Sequence, residues 1–297
     1  MEIIRKPDHL ERQALIDFIG EMTDQLGARP LSDHLWLDLQ DGRSDGFTAV
    51  RVCDADRTLA QAQISAGNDS SSLEVVVRPR LSDVRSVHDD AVDTVIDSFR
   101  RRGGGSLQWW VDDPTAEDQD IAARHLLAPH RRLHEMRREL PLGKHASVET
   151  RSFVPDADNE AWLRVNNRAF AAHAEQGGWT NETLALRLAE PWFDADGFRL
   201  HERNGRLAAF CWTKIHHDHN PVLGEIYVIA VDPDFHGQGL GRQLTIAGLD
   251  SIADRGVTQA TLYVDADNRA AVTLYERLGF TIHRTRQAFA GILSATH

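Results

Sequence analysis

The residues that could do chemistry cluster in the second half of the chain. The stretch 232–244, DPDFHGQGLGRQL, follows the apolar run EIYVIAV at 225–231 and leads into a helical pattern. Strand, glycine-rich loop and helix, in that order, are how a phosphate is held. Successive backbone N–H groups and the positive end of the helix macrodipole converge on the anion, and glycine lets the backbone approach closely. Glu225 opens the strand. Period-2 alternation puts Glu225, Tyr227 and Ile229 on one face, so a cleft on that face would make Glu225 a general base.

Two common phosphate loops do not fit. A Walker A loop requires Lys-Ser/Thr after its glycines, whereas Arg242-Gln243 follows here. A dinucleotide loop requires G-x-G-x-x-G after the first strand of a βαβ repeat. Here the glycines are Gly237, Gly239 and Gly241, and their strand comes after a hairpin predicted to turn at Asn204-Gly205.

The elements that must position this loop are written twice. The second half runs as a hairpin, an apolar strand, the glycine loop, a helix, the strand QATLYV, a helix and a last strand. The first half has the same order, with a hairpin near 54–57, the strand LEVVV, a helix, and the strand SLQWWV. The polar segment 141–150, PLGKHASVET, suits a linker. The reading is a duplication, with domains at 1–143 and 151–297. The fold class is α+β (α/β), each domain a central mixed sheet flanked by helices. The copies differ at the loop: VRPRLSDVRSV in the first half carries none of the three glycines of VDPDFHGQGLG.

The motif HGQGLG, residues 236–241, resembles the pyrophosphate loop of the GCN5-related N-acetyltransferases, with His236 where Arg or Gln is usual. DADNRAAVTLYERLGF, 265–280, resembles the C-terminal motif of the same family. The resemblance implies two tandem domains of that family and acetyl-CoA as co-substrate. The implied acetyl-CoA contacts are Ile229, Ala230 and Val231 through strand N–H groups, then His236, Gly237, Gln238, Gly239, Leu240, Gly241 and Arg242 on the loop. Asn268, Arg269, Ala270, Ala271, Val272 and Thr273 follow on the next helix. Val75, Val76 and Val77 are the first-half counterparts of the strand residues. Tyr275, two helical turns after Asn268 on the same face, is implied as the acid that protonates a leaving thiolate. The reaction is attack of an amine on a thioester, which needs a base, a stabilised oxyanion and a protonated leaving group.

LRVNNRAFAAHAEQGGWT, FCWTKIHHDH and LGEIYVIAVDP resemble more narrowly the mycothiol synthase family, closely over 150–290 and weakly before. That likeness implies acetylation of the cysteine α-amine of cysteinyl-glucosaminyl-inositol. Glu175, Lys214, Glu225 and Tyr263 would contact this substrate, with Glu225 as base, and Asp33 from the first half would join them. Asp33 reads equally as a helix N-cap. Another small-molecule or peptide N-acetyltransferase, or a non-catalytic acyl-CoA-binding module, are the other readings of the same motifs.

Composition bounds the rest. The formal charge is −12 and the isoelectric point about 5.6, which argues against nucleic acid as a partner. The basic run RRLHEMRREL reads as a solvated strand face. Cys53 and Cys211 are far apart and read as small core residues in a reducing compartment. His216–His219, HHDH, reads as a solvated turn, and no metal is expected. No 18-residue apolar run and no signal-peptide core are present. The expectation is a soluble, cytoplasmic monomer with a small-molecule substrate.

Overall fold

The computed structural model describes residues 2–4, 7–27, 29–41, 46–55, 57–67, 69–171 and 176–296. The elements of the first half are β1 (Glu2–Ile4), α1 (His9–Leu26), α2 (Asp33–Asp41), β2 (Thr48–Asp54), β3 (Arg57–Ala66), β4 (Ser71–Val77), α3 (Val84–Arg101), β5 (Gly104–Asp112), α4 (Ala116–Arg124) and β6 (Ala128–Glu139). Those of the second are β7 (Arg151–Ser152), α5 (Asn159–Ala169), α6 (Asn181–Leu188), β8 (Phe198–Arg203), β9 (Arg206–His216), β10 (Leu223–Val231), α7 (Leu240–Ala253), β11 (Gln259–Asp265), α8 (Arg269–Arg277) and β12 (Thr281–Ser294). The expected β8–β9 turn is present: Asn204 and Gly205 take φ of 53° and 71°, the doubly left-handed geometry of a two-residue hairpin.

The chain divides into two compact units that do not follow the linker. Unit 1 is Met1–His134 with Arg284–His297, and unit 2 is Glu135–His283. Strands β6 and β12, of 12 and 14 residues, are long enough for each to contribute to both units. The basic run is accordingly not wholly solvated. Glu135 is 2% exposed and Met136 fully buried.

Within unit 1 the sheet order is β1-β2-β3-β4-β5-β12, antiparallel except for β4 against β5. The apolar stripe of α3 (Val92, Val95, Ile96) covers one face against Ile64, Leu107 and Trp109. On the other face α1 and α2 bury Leu15, Phe18, Ile19, Leu35 and Leu39 against Phe47, Ala49 and Val76.

Within unit 2 the order is β6-β11-β10-β9-β8-β7, with β10 parallel to β11 and antiparallel to β9. The helix α7 packs Leu244, Leu249 and Ile252 on Ala209, Cys211, Ile226 and Leu262. Two glycines allow this close approach: a Cβ on Gly248 would stand 2.4 Å from Cys211 Sγ, and one on Gly224 2.2 Å from Ile252 Cγ2. On the opposite face Trp162 of α5 and Leu184 of α6 pack with Phe198, Phe210, Trp212 and Val228. A buried Leu or Trp side chain is worth about 1.5–3 kcal/mol or more in transfer free energy, so both faces of β9 and β10 are firmly held. Each unit is thus a mixed sheet flanked by helices.

Candidate active site

The site begins where two strands part. β10 and β11 pair only through Gly224↔Ala260, Glu225↔Thr261 and Ile226↔Leu262. β10 continues alone against β9 as far as Val231↔Ala209. Its open edge therefore carries backbone groups with no neighbouring strand. The N–H of Asp232 bonds to Ala208 O at 2.9 Å, so ladder alternation turns Ala230 toward β9 and Ile229 and Val231 toward the opening. Two of the three expected strand donors face the opening; Ala230 does not.

A β-bulge also resets the side chains. Ile226 pairs with Thr213 and Val228 with Trp212, leaving Tyr227 as an extra residue. Glu225 and Tyr227 share a face as expected, but Ile229 does not join them. It packs with the α7 core, while Val228 packs beside Trp212.

Beside the opening is a cleft of about 430 Å³, lined by Ile229, Ala230, Val231, the loop and the near face of α8. Gly237 and Gly239 both have φ of 74°, a region that costs a non-glycine residue roughly 1–2 kcal/mol. Gly241 has ordinary φ, and a Cβ there would meet only Leu274 and Val231 at 3.8 and 3.9 Å. Its missing side chain leaves room for a ligand. Gly239 caps α7, so the N–H groups of Leu240, Gly241 and Arg242 lack intrahelical acceptors, and Leu240 and Gly241 line the cleft. Loop, helix end and cleft fit a pyrophosphate carrying a long thioester arm. His236 departs from its expected part: its N–H lies 3.3 Å from Pro233 O, and its Nε2 donates to Val231 O at 3.0 Å. It ties the loop to the strand end. Gln238 accepts a hydrogen bond from Arg203.

On α8, Asn268 Oδ1 caps the helix by accepting from Ala271 N–H at 3.2 Å, which leaves its amide nitrogen to meet a ligand. The cleft face carries Asn268, Ala270, Ala271, Leu274 and Tyr275, whereas Arg269 and Thr273 are exposed and Val272 is half-buried. Tyr275 lines the cleft yet is 8% exposed and packs edge-on against Phe280. Burial, with a smaller contribution from Cys211, pushes its phenol well above the ordinary value.

Glu225 stands opposite Lys214 on β9 and beside Thr261 on β11. Lys214 is 6% exposed, with Nζ 5.0 Å from the Trp192 ring centroid and 6.0 Å from that of Tyr227. Tyr263 projects to the same face as Thr261, since Leu262 and Val264 point into the α7 core; it is 46% exposed. Lys214, Glu225 and Tyr263 are thus brought to one face of one sheet.

Glu175 lies outside the described residues. The segment after it is pinned by two asparagines of α5 that the motif reading passed over. Asn166 Nδ2 donates to Gln176 O at 2.9 Å, and Asn167 bonds both Trp179 O and Trp179 N–H at 2.8 and 2.9 Å. Adjacent asparagines inside a helix are poor helix formers, which was the available signal.

His216 was also missed. Its Nε2 lies 2.6 Å from Glu225 Oε2, and His219 Nδ1 lies 3.1 Å from Asp218 Oδ1. The donor atoms of His216, Asp218 and His219 all lie within 4.8 Å of one another.

Unit 1 keeps the opening without the loop. β4 and β5 pair from Ser71↔Leu107 to Leu73↔Trp109 and then part. Val75 and Val77 line a cleft of about 440 Å³, while Val76 turns into the core on the other face. No glycine loop precedes α3. Arg85 lines the cleft and pairs with Asp118 and Asp89, each at 2.7 Å. Asp33, also in unit 1, is the first residue of α2 and pairs with Arg29. Of the two cysteines, Cys211 is fully buried and Cys53 only partly. No described helix is long and apolar enough to cross a membrane.

A parted parallel strand pair, a glycine cradle at a helix N-terminus and a buried tyrosine on the next helix define an acyltransferase of the acetyltransferase (GNAT) family. The model of that family matches residues 160–280. At 44% identity over 263 residues, covering 86% of this chain and 85% of its own, a mycothiol acetyltransferase of Thermomonospora curvata is a relative. The chain belongs to the mycothiol acetyltransferase family. Its fold also matches a GCN5-related N-acetyltransferase from Sphaerobacter thermophilus (TM-score 0.70, 18% identity, 99% and 97% of the two chains covered). A tandem GNAT protein from the clavulanic acid biosynthesis pathway matches with TM-score 0.69 and 15% identity, over 100% and 99% of the chains.

Proposed function

We propose that this chain transfers the acetyl group of acetyl-CoA to the cysteine α-amine of cysteinyl-glucosaminyl-inositol, giving mycothiol and CoA. The supporting observation is the opening between β10 and β11, with the glycine cradle at one end of β10 and Glu225 at the other. The loop N–H groups hold the pyrophosphate, and Ile229 and Val231 N–H lie along the thioester arm and polarise its carbonyl. One such donor is worth roughly 10²–10³ in rate. Glu225 takes a proton from the amine and Tyr275 gives one to the departing sulfur. An α-amine titrates near 7.7–8.0 against about 10.4 for a lysine, so a carboxylate base suits the α-amine far better. The step as written needs no metal.

Lys214 and Tyr263, with Glu175 and Asp33, are the proposed partners of the sugar and inositol hydroxyls; such a site rejects amines that lack them. Residues 151–297 are proposed as the catalytic copy and 1–143 as a copy with a degenerate pyrophosphate loop. A monomer working in the cytoplasm completes the reading. The test is thiol release from acetyl-CoA with cysteinyl-glucosaminyl-inositol against simple amines and peptides. Equal rates across these acceptors would overturn the substrate assignment.

A further inference from the structure

Of the two protons an ammonium nitrogen loses on acylation, one ends on the thiol and the other must leave the protein. The balance is R–NH3⁺ plus acetyl thioester giving the amide, the free thiol and one H⁺: a C–N bond forms, a C–S bond breaks, and the sulfur takes a proton from Tyr275. Glu225 has little direct contact with water through which to pass on the other proton, its side chain being only 11% exposed.

It does not stand alone. His216, two residues beyond Lys214 on β9, places Nε2 2.6 Å from Glu225 Oε2, so that its Nδ1–H tautomer accepts a proton from the carboxyl, and its side chain is 14% exposed. Its other nitrogen, Nδ1, lies 4.0 Å from Asp218 Oδ1, whose side chain is 41% exposed. His219 packs its ring 5.0 Å from that of His216 and bonds Asp218. The charged groups around His216 are thus Lys214 on β9, Glu225 on β10, and Asp218 and His219 in the following turn. They form a path of increasing exposure from the buried carboxylate to solvent. A second ring nitrogen facing outward is what a proton relay requires.

We propose that His216 is a positioning residue for Glu225 that accepts its proton at Nε2 and releases the Nδ1 proton toward Asp218 and solvent. This rests on the reading of Glu225 as base, and the experiment separates the two. The full chain and its Glu225→Gln, His216→Ala and His216→Gln variants are assayed for turnover against pH, with and without added imidazole. The expected result is that His216→Ala lowers kcat on the order of 10²-fold, leaves KM for acetyl-CoA unchanged, and recovers in part with imidazole. His216→Gln keeps a donor to Glu225 and so keeps KM for the amine, but stays slow and loses an ionisation from the pH profile. A slow Glu225→Gln beside a His216→Ala with the wild-type profile would overturn the relay alone. So would a uniform loss in His216→Ala that imidazole does not relieve. Wild-type turnover in Glu225→Gln would instead remove the base assignment.

Discussion

Lys214 and Glu225 face each other directly across β9 and β10, and the regular register ends one residue beyond Glu225. A cation opposite a carboxylate on adjacent strands contributes roughly 0.2–1 kcal/mol. The pair stands next to the last regular pair before the bulge, Ile226↔Thr213, on a strand held from both faces. Glu225, the proposed base, and the strand donors are therefore parts of one element.

Glu225→Gln is expected to lower kcat by about 10²–10⁴-fold while acetyl-CoA binding stays near that of the wild type. Single-turnover kinetics beside calorimetric titration of the coenzyme would show the split. A parallel loss of coenzyme affinity would mean that the substitution disturbs β10 itself.

As the proposed acid, Tyr275 would act in its protonated form. Burial raises its pKa above the ordinary value, so the acid is present throughout the neutral and mildly alkaline range and is lost only above pH ~10. Tyr275→Phe should lower kcat with little change in the pH profile below that point. An alkaline limb near pH 8 that disappears in Tyr275→Phe would contradict this.

Gly239 and Gly241 should respond differently to alanine. Gly239→Ala forces a side chain into left-handed backbone, costing about 1–2 kcal/mol, and should lower both thermal stability and coenzyme affinity. Gly241→Ala meets only ordinary contacts and should hold or raise the melting temperature, since alanine favours helix by about 1 kcal/mol. Its cost should appear in coenzyme affinity alone. Unchanged affinity in Gly241→Ala would mean the ligand does not approach that Cα.

Gly248→Ala places a methyl 2.4 Å from Cys211 Sγ and 2.7 Å from Ile226 Cδ1. Overpacking of this kind costs about 1–3 kcal/mol, and denaturant unfolding should register it. Because α7 would be pushed off β10, kcat should fall too.

Asp158 accepts two hydrogen bonds from Arg151 and one from Val154 N–H, each at 2.7 Å. The Arg151 bonds are the main reason its pKa is lowered. A depressed carboxylate adds stability that is present above its unfolded pKa, about 3.9, and is lost as pH falls through the lower folded value. Arg151→Met should therefore lower the melting temperature at pH 7, with the difference shrinking below pH ~4. A difference that persists undiminished at low pH would assign the effect to packing.

The glycine loop and the hairpin at Asn204-Gly205 were legible because positive φ and alternation are local properties that residue type reports directly. The bulge at Tyr227 was not. EIYVIAV is apolar almost throughout, so it carries no contrast between faces, and Ile229 was placed on the wrong one. His216 was obscured by its neighbours: HHDH reads as a polar turn, yet His216 still belongs to β9 and shares the alternation of Lys214. The ends of β6 and β12 were beyond reach for a different reason, since strand partners far apart in sequence leave no local trace.

Strands β6 and β12 bear on how the gene can be divided. A fragment 151–297 would lack the β6 residues 135–139, leaving an unpaired edge on β11 and a template for aggregation. It would also carry a tail, 284–297, whose partners lie on β5. A fragment 1–150 would be its complement, with β5 unpaired and a surplus β6 end. Expressed apart, neither piece is self-sufficient; co-expressed, each supplies what the other lacks.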